Sequence, residues 1–197
     1  MKRNFNVKRL VTAGAPQQFP RDGKPHAVLL GRSNVGKSSL VNALTGTSSA
    51  RVSKKPGKTV TINFYDTGDF YIADLPGYGY ANRSAGQTKD FSSLTDTYMR
   101  KSDAKRIFVQ LIDLLVGPTA DDMMMLEWLK ANGERFFVAA TKSDKPNAGE
   151  RKRSLEKMFG EPLLSGITVI PVSSKTGEGV EQICATVTSM LRGAASE

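Results

Sequence analysis

Eight residues in the first quarter of the chain have the types and spacing of a phosphate-binding loop. Residues 31–38 read Gly-Arg-Ser-Asn-Val-Gly-Lys-Ser and match the pattern G-x-x-x-x-G-K-S/T. An apolar run precedes them and a helix-like run follows, which is the context that this pattern requires. The glycines let the backbone wrap a phosphate, and successive N–H groups point at the anion. The pattern predicts that Lys37 bridges the β- and γ-phosphates of a nucleotide and that Ser38 ligates Mg²⁺.

A second motif, at residues 141–144, predicts which base is bound. Thr-Lys-Ser-Asp follows an apolar run and is a T-K-x-D form of the guanine-reading motif N-K-x-D. The Asp144 carboxylate can accept hydrogen bonds from N1–H and N2–H₂ of guanine, whereas adenine would leave it unpaired. The Lys142 stem can lie along the base face. The run Val172-Ser173-Ser174 ends the next strand, where a backbone N–H can meet guanine O6.

Between these motifs, the sequence Asp74-Leu75-Pro76-Gly77 has the D-x-x-G pattern of a γ-phosphate sensor. The pattern predicts that Asp74 stands behind the Mg²⁺ ion through a water and that the Gly77 N–H donates to the γ-phosphate. Upstream, a threonine in a basic Pro-Gly loop can complete the Mg²⁺ shell while the γ-phosphate is present. We expect Thr59 to have this role and keep Thr61 as the alternative.

Taken together and in order, these motifs resemble the EngB family (YihA/YsxC) of ribosome-assembly GTPases, which is related to TrmE, Era and EngA. The resemblance extends from about His26 to about Leu191, and Leu115-Val116 stands where the family usually has an Arg-His-like pair. It implies a Ras-like P-loop GTPase fold, a role in large-ribosomal-subunit assembly and an associated role in cell division. It is carried by the segments GRSNVGKSSL (31–40), PGKTVTINF (56–64), DLPGYGYA (74–81), TKSDK (141–145) and Val172–Ser174.

The residue after the D-x-x-G motif bears on the rate of hydrolysis. Many GTPases place a glutamine there to orient the attacking water, but this chain has Tyr78. Because no other general base is evident, we predict slow intrinsic turnover. In related GTPases an asparagine at the position of Asn34 helps to hold a K⁺ ion. Asn34 could hold K⁺ here or only stabilise the loop, and the sequence leaves both readings open.

The predicted site residues fall into three sets. The catalytic set is Lys37, Thr59, Gly77 and, as a K⁺ ligand, Asn34; the metal ligands are Ser38 and Thr59, with Asp74 acting through water. The predicted GTP-binding residues are Gly31, Arg32, Ser33, Asn34, Val35, Gly36, Lys37, Ser38, Gly57, Lys58, Thr59, Val60, Thr61, Asp74, Leu75, Pro76, Gly77, Thr141, Lys142, Ser143, Asp144, Val172, Ser173 and Ser174.

The alternation of strand-like and helix-like runs predicts an α/β fold. We expect a mixed, mostly parallel sheet of about six strands with helices on both faces. The turn Asp66–Asp69 predicts a hairpin and therefore one antiparallel pair. We expect a flexible basic segment at residues 1–24, a GTPase domain at 25–192 and a flexible tail at 193–197. The loops Arg51–Lys58 and Gly77–Gly86 should become ordered when GTP binds.

Composition and charge limit the kinds of partner to expect for this protein. The chain has 197 residues and a formal net charge of +9, with basic residues crowded at its start and in the loop 51–58. Such charge favours contact with the phosphate backbone of rRNA, although it could also serve solubility.

The single cysteine, Cys184, is expected to be a reduced thiol in the core. No secretory signal, membrane span or lipidation motif is evident, so we expect a cytoplasmic monomer. The functional alternatives are a ribosome-directed GTPase and a nucleotide-gated binding module in which hydrolysis is incidental.

Overall fold

The computed structural model describes residues 4–47, 61–79, 93–101 and 104–193. Three sets of predictions lie outside these ranges: the loop Arg51–Lys58 with the site residues Gly57–Val60, the loop Gly77–Gly86 beyond Gly79, and the tail beyond Gly193.

The described residues form one mixed sheet of seven strands, in the order β1-β3-β4-β2-β5-β6-β7. The pairs β1–β3 and β3–β4 are antiparallel, and the other four pairs are parallel. The hairpin expected at Asp66–Asp69 joins β3 to β4, and Asp66 pairs with Tyr71 across it. The strands are β1 (Arg9–Ala13), β2 (His26–Gly31), β3 (Ile62–Asp66), β4 (Tyr71–Asp74), β5 (Arg106–Asp113), β6 (Phe136–Thr141) and β7 (Val169–Val172).

The edge strand β1 corrects the predicted number of strands, since it lies in the segment that we expected to be flexible. Only Ala13 of its five residues is buried, and its apolar pair Leu10-Val11 is too short to indicate a strand by itself. The backbone holds it instead, through antiparallel pairing of Arg9–Ala13 with β3 and a 2.7 Å hydrogen bond from Lys8 N to Asp66 O. An edge strand of this kind is stable with only one fully buried side chain, because its hydrogen bonds are between main chains.

Among the described residues, five α-helices cover the two faces of the sheet, and helices on both faces are what the sequence predicts. Alternate residues of β2 point to opposite faces: Val28 and Leu30 join one core cluster, and Ala27 and Leu29 join the other. The first cluster packs against α2, α3 and α4, and the second, which includes the buried Cys184, packs against α1 and α5. The helices are α1 (Lys37–Thr45), α2 (Ser93–Lys101), α3 (Ala120–Ala131), α4 (Ala148–Phe159) and α5 (Val180–Gly193). Among the described residues, no helix is long and apolar enough to cross a membrane.

An aromatic cluster closes the amino end of β2. His26 is buried, and its Nδ1 lies 2.7 Å from the Tyr98 hydroxyl of α2. The two rings are stacked with centroids 5.9 Å apart, and the Phe64 ring lies 5.5 Å from that of His26. Burial lowers the pKa of His26 to about 4, so the imidazole is neutral at physiological pH. The cluster consists of Phe19, His26, Phe64, Tyr71 and Tyr98.

Candidate nucleotide-binding site

The predicted phosphate loop connects the carboxyl end of β2 to the first residue of α1. The backbone turns through positive φ at Asn34 (65°) and at Gly36 (106°), the residue before the helix. Gly36 provides no side-chain cap. The first N–H groups of α1 are therefore available to an anion, at the positive end of the helix dipole. The close packing of Gly31 keeps the loop compact, since a Cβ there would come within 2.8 Å of Val35 Cγ1.

Two charged side chains of the site, Lys37 and Asp74, form an ion pair. Only 11% of the Lys37 side chain and 9% of the Asp74 side chain are exposed. The pairing follows from the topology, because Asp74 ends β4 and lies opposite Leu29 of β2 in the parallel register. The structure thus brings the phosphate-loop lysine and the D-x-x-G aspartate together at the carboxyl edge of the sheet, beside Ser38 at the start of α1.

The end of the D-x-x-G motif rests directly on the phosphate loop. Ser33 N donates to Tyr78 O at 2.9 Å, and Tyr78 N donates to Gly31 O at 3.3 Å. A Cβ at Gly77 would lie 3.0 Å from both the Cα and the N of Ser33. Such distances are tighter than most contacts of a Cβ atom, so a larger residue here would force the two segments apart. The phosphate loop and the predicted γ-phosphate sensor are therefore one packed unit.

The side chain of Tyr78 turns away from the phosphate loop into the core. Its hydroxyl donates to Asp122 Oδ1 of α3 at 2.8 Å and accepts a hydrogen bond from Gln110 Nε2 of β5. The residue is 4% exposed, and burial raises the pKa of the phenol. Asp122 also accepts from the hydroxyl of Thr119, the N-terminal cap of α3. Tyr78 thus packs against α3, with its hydroxyl bonded inside the core.

The T-K-x-D motif is tied to the phosphate loop and to β5. The Thr141 hydroxyl donates to Val35 O at 2.7 Å, which links the two motifs across the edge of the sheet. Lys142 adopts a φ of 58°, and its ammonium lies 2.7 Å from Asp113 Oδ2. Asp113 Oδ1 accepts from Leu115 N at 3.0 Å, so the carboxylate that holds Lys142 is itself fixed.

Asp144 is held by the segment that follows β7, residues 173–179. The Ser173 hydroxyl donates to Asp144 Oδ1 at 2.6 Å, and this hydrogen bond lowers the pKa of the carboxyl group. The N–H groups of Ser173, Lys175 and Thr176 have acceptors within the loop. The Ser174 N–H has none among the described residues, so it is free to donate to a ligand. The sequence predicts such an N–H without choosing between the two serines.

The remaining predicted residues surround these contacts. Arg32 pairs with Tyr78 in an isolated bridge, and Leu75 is fully buried. Thr61 precedes β3, whose Asn63 lies opposite Asp74, so Thr61 is at the same edge of the sheet. Pro76 and Ser143 lie in connecting segments next to Gly77 and Lys142, and Val172 is the last residue of β7, next to Ser173. Among the described residues there is no group of three or more His, Cys, Asp or Glu side chains that could hold a metal ion.

Three residues that matter to this arrangement, Asp113, Arg151 and Glu178, are missing from the sequence prediction. Asp113 ends β5 and pairs with Lys142, whereas Glu178 accepts hydrogen bonds from Ser143 and Arg151. None of them belongs to a nucleotide-binding motif. The one available signal was the position of Asp113 at the carboxyl end of a buried strand, where ligand-binding residues gather in α/β sheets.

Comparison with known proteins agrees with this geometry. A family model described as 50S ribosome-binding GTPase matches residues 26–142. The probable GTP-binding protein EngB of Alkaliphilus oremlandii is 44% identical over 88% of this chain and 85% of its own length. The protein of the same name from Solibacter usitatus is 40% identical over 96% of this chain and 98% of its own length.

Solved structures show the same fold. A crystal structure of a probable GTP-binding protein EngB superimposes with a TM-score of 0.64 at 26% identity, covering 85% of this chain and 99% of the other. Era from Aquifex aeolicus, at 20% identity, superimposes with a TM-score of 0.63 over 85% of this chain and 56% of its own. The sheet with its helices is therefore the Ras-like P-loop GTPase fold, and the chain belongs to the EngB family of GTP-binding proteins.

Proposed function

We propose that this GTPase is a GTP-dependent switch in the assembly of the large ribosomal subunit, with slow intrinsic hydrolysis and an associated role in normal cell division. The observation that carries the proposal is the convergence of three motifs at one edge of the sheet, linked by the Lys37–Asp74 ion pair and the hydrogen bond from Thr141 to Val35. The description of the matching family as 50S ribosome-binding supports the choice of partner. We propose that it acts in the cytoplasm as a monomer.

Guanine is recognised by polar groups that the protein holds in place beforehand. Asp144, oriented by the Ser173 hydroxyl, accepts from N1–H and N2–H₂ of the base. The Ser174 N–H donates to O6, and the Lys142 stem, fixed by Asp113, lies along the base. A base without the matching donors would leave the carboxylate desolvated and unpaired, which costs more free energy than a lost contact.

The residues at the phosphate end fit Mg²⁺, which prefers oxygen ligands and keeps several of its waters. The Ser38 hydroxyl at the start of α1 would bind the ion directly, and the Asp74 carboxylate would hold it through a water. Thr59, with Thr61 as the alternative, would complete the shell. When bound, the ion neutralises charge on the β- and γ-phosphates. Lys37, now paired with Asp74, would turn to the phosphates, and the Gly77 N–H would donate to the γ-phosphate.

Slow hydrolysis follows from the packing of Tyr78. Its phenol is bonded to Asp122 and Gln110 in the core, so it is not available to orient water. Intrinsic turnover should be on the order of 10⁻³ s⁻¹ or less, as in unassisted switch GTPases. Asn34 is exposed on the phosphate loop and could help to hold a K⁺ ion. Rates measured in KCl and in NaCl at equal ionic strength test this role, and equal rates reject it.

The net charge of +9 supports binding to an rRNA-rich particle through its phosphate backbone. Co-sedimentation with large ribosomal subunits tests the proposal. Binding should be stronger with a GTP analogue than with GDP and should weaken steeply as salt rises. If there is no binding at low salt, or if binding depends on neither the nucleotide nor the salt concentration, the proposed ribosomal role is wrong.

A protein partner is the alternative, with nucleotide gating the contact and hydrolysis incidental. It is favoured by two exposed apolar side chains after β5, Leu115 (51% exposed) and Val116 (56%). Turnover measured with and without ribosomal subunits separates the two functions. Stimulation by the particle supports the ribosomal switch, and an unchanged rate supports the binding module.

A further inference from the structure

The two base-reading loops come from separate strands and must keep a fixed distance for a base to fit between them. The first, residues 142–147, joins β6 to α4, and the second, residues 173–179, joins β7 to α5. Two hydrogen bonds link them near the strands: Ser143 N donates to Val172 O at 3.2 Å, and the Ser173 hydroxyl donates to Asp144. A further link lies farther out, at Glu178.

Glu178 contacts both loops and α4. Its Oε2 accepts from the Ser143 hydroxyl at 2.7 Å and from Arg151 Nη1 at 3.2 Å, and its Oε1 accepts from Arg151 Nη2. Its main-chain carbonyl accepts from Ser173 N at 3.0 Å. One residue therefore bonds to the neighbours of Asp144 on both sides: to Ser143 in the first loop and to Ser173 in the second.

The backbone leaves Glu178 little freedom. Gly177 and Gly179 flank it, with φ values of 83° and 73°. A Cβ at Gly179 would overlap the carbonyl oxygen of Pro171, so the loop lies tightly against β7. Both the main chain and the side chain of Glu178 are thus held in one arrangement.

The charges suit a role in positioning more than one in folding. The hydrogen bond from Arg151 lowers the pKa of Glu178, so the carboxylate is ionised at neutral pH. The two side chains are 33% and 39% exposed, respectively, and an ion pair with this exposure adds little to the free energy of unfolding. Its bidentate geometry nevertheless fixes direction, because a guanidinium and a carboxylate form two parallel hydrogen bonds.

We infer that Glu178 is a positioning residue for guanine recognition: its carboxylate, oriented by Arg151, joins the two loops and thereby sets the direction of Asp144. The inference rests on the proposed function, since it assigns Asp144 to the base. It predicts that loss of the Glu178 charge weakens the discrimination between bases more than it weakens folding.

The test compares Glu178→Gln with a matched control, Glu181→Gln, which removes the same charge from an exposed position three residues along the chain. Dissociation constants are measured for GTP and for inosine triphosphate, which keeps N1–H but lacks the 2-amino group. A misdirected Asp144 loses more with guanine than with hypoxanthine. The preference for GTP should fall about threefold to tenfold in Glu178→Gln, the range of one hydrogen bond, and stay at the wild-type value in the control.

A second variant, Arg151→Met, should lower the preference by a similar factor, and the double variant should add little to either change. The inference is overturned if the preference in Glu178→Gln equals that of the wild type. It is also overturned if both nucleotides weaken equally together with a lower melting temperature, because that outcome shows a general structural role. If the wild-type protein instead binds ATP as tightly as GTP, the proposed function itself is wrong.

Discussion

The two ends of strand β2 lie in opposite kinds of surroundings. At its amino end, His26 is enclosed by aromatic rings and bonded to the Tyr98 hydroxyl. At its carboxyl end, Gly31 begins the phosphate loop, which enters α1 without a side-chain cap, and Gly77 packs closely on that loop. Aromatic side chains fill the first end, whereas the second combines backbone N–H groups with a few polar side chains, Lys37, Ser38 and Asp74.

The difference teaches where stability and binding are located. Buried aromatic contacts stabilise the fold but leave no polar group for a ligand, while uncapped helix ends offer binding groups and add no packing. Substitutions at the carboxyl edge should therefore change nucleotide binding or hydrolysis with little effect on stability. Substitutions at the amino edge should do the reverse.

The largest effect is expected at Asp144. The wild type should prefer GTP to ATP by at least about a thousandfold, since the carboxylate is unpaired with adenine. Asp144→Asn should lose GTP affinity and favour xanthosine triphosphate, because the amide can donate to the 2-oxo group. Fluorescence titration measures both constants. Asp69→Asn makes the same charge change at an exposed turn of the amino edge and should behave as the wild type. Unchanged GTP affinity in Asp144→Asn would show that the base is read elsewhere.

Gly77→Ala should have the next largest effect. The added Cβ would meet the Ser33 backbone at 3.0 Å, so the γ-phosphate sensor must move away from the phosphate loop. Single-turnover GTP hydrolysis should slow by about a hundredfold, as expected for a displacement of this kind at a reacting centre. GDP affinity should change much less. Gly149→Ala is the matched control, because its Cβ would make only ordinary contacts, at 3.5 Å and beyond. Equal hydrolysis rates in the two variants would show that Gly77 has no role in the reaction.

At the amino edge, acid should destabilise the fold through His26. Burial lowers its pKa from 6.5 to about 4, so between these values the unfolded chain binds the extra proton. The stability that depends on the neutral imidazole is complete above pH 6.5 and is lost as the pH falls toward 4. From pH 7 to pH 4.5 the free energy of unfolding should fall by about 2 kcal/mol through this residue.

Urea unfolding of wild type and His26→Phe measures that difference. The variant should be less stable at neutral pH, because it leaves the Tyr98 hydroxyl unpaired, but its stability should depend less on pH. Its preference for GTP over ATP should equal that of the wild type. A loss of preference in His26→Phe would contradict the separation of the two ends.

Features of the fold that depend on repeating sequence patterns could be predicted from the sequence. Strand and helix alternation predicted the elements from β2 to α5, and the order of the motifs predicted their meeting at one edge. It could not reveal β1, which is held by main-chain pairing, or the inward turn of the Tyr78 phenol, which depends on Gln110 and Asp122 from other elements. Contacts that join distant segments, such as Asp113 with Lys142, have no local signature.

That last contact gives the smallest expected effect. Asp113→Asn removes the charge opposite the Lys142 ammonium, while its amide oxygen can still accept from Leu115 N. The side chains are 16% and 27% exposed, and a pair near the surface is worth less than about 1 kcal/mol, so affinity should fall by about threefold. GTP and GDP should weaken equally, because in the proposed binding mode Lys142 lies along the base and does not reach the γ-phosphate.

Two further variants decide whether this loss belongs to the pair. In a Lys142→Met background, Asp113→Asn should have no additional effect on nucleotide affinity. Asp96→Asn breaks an exposed ion pair with Arg100 in α2 and should leave the affinity at the wild-type value. A loss confined to GTP would instead connect Asp113 to the phosphate end. The base site and the phosphate site would then not be independent, because a single carboxylate would act on both.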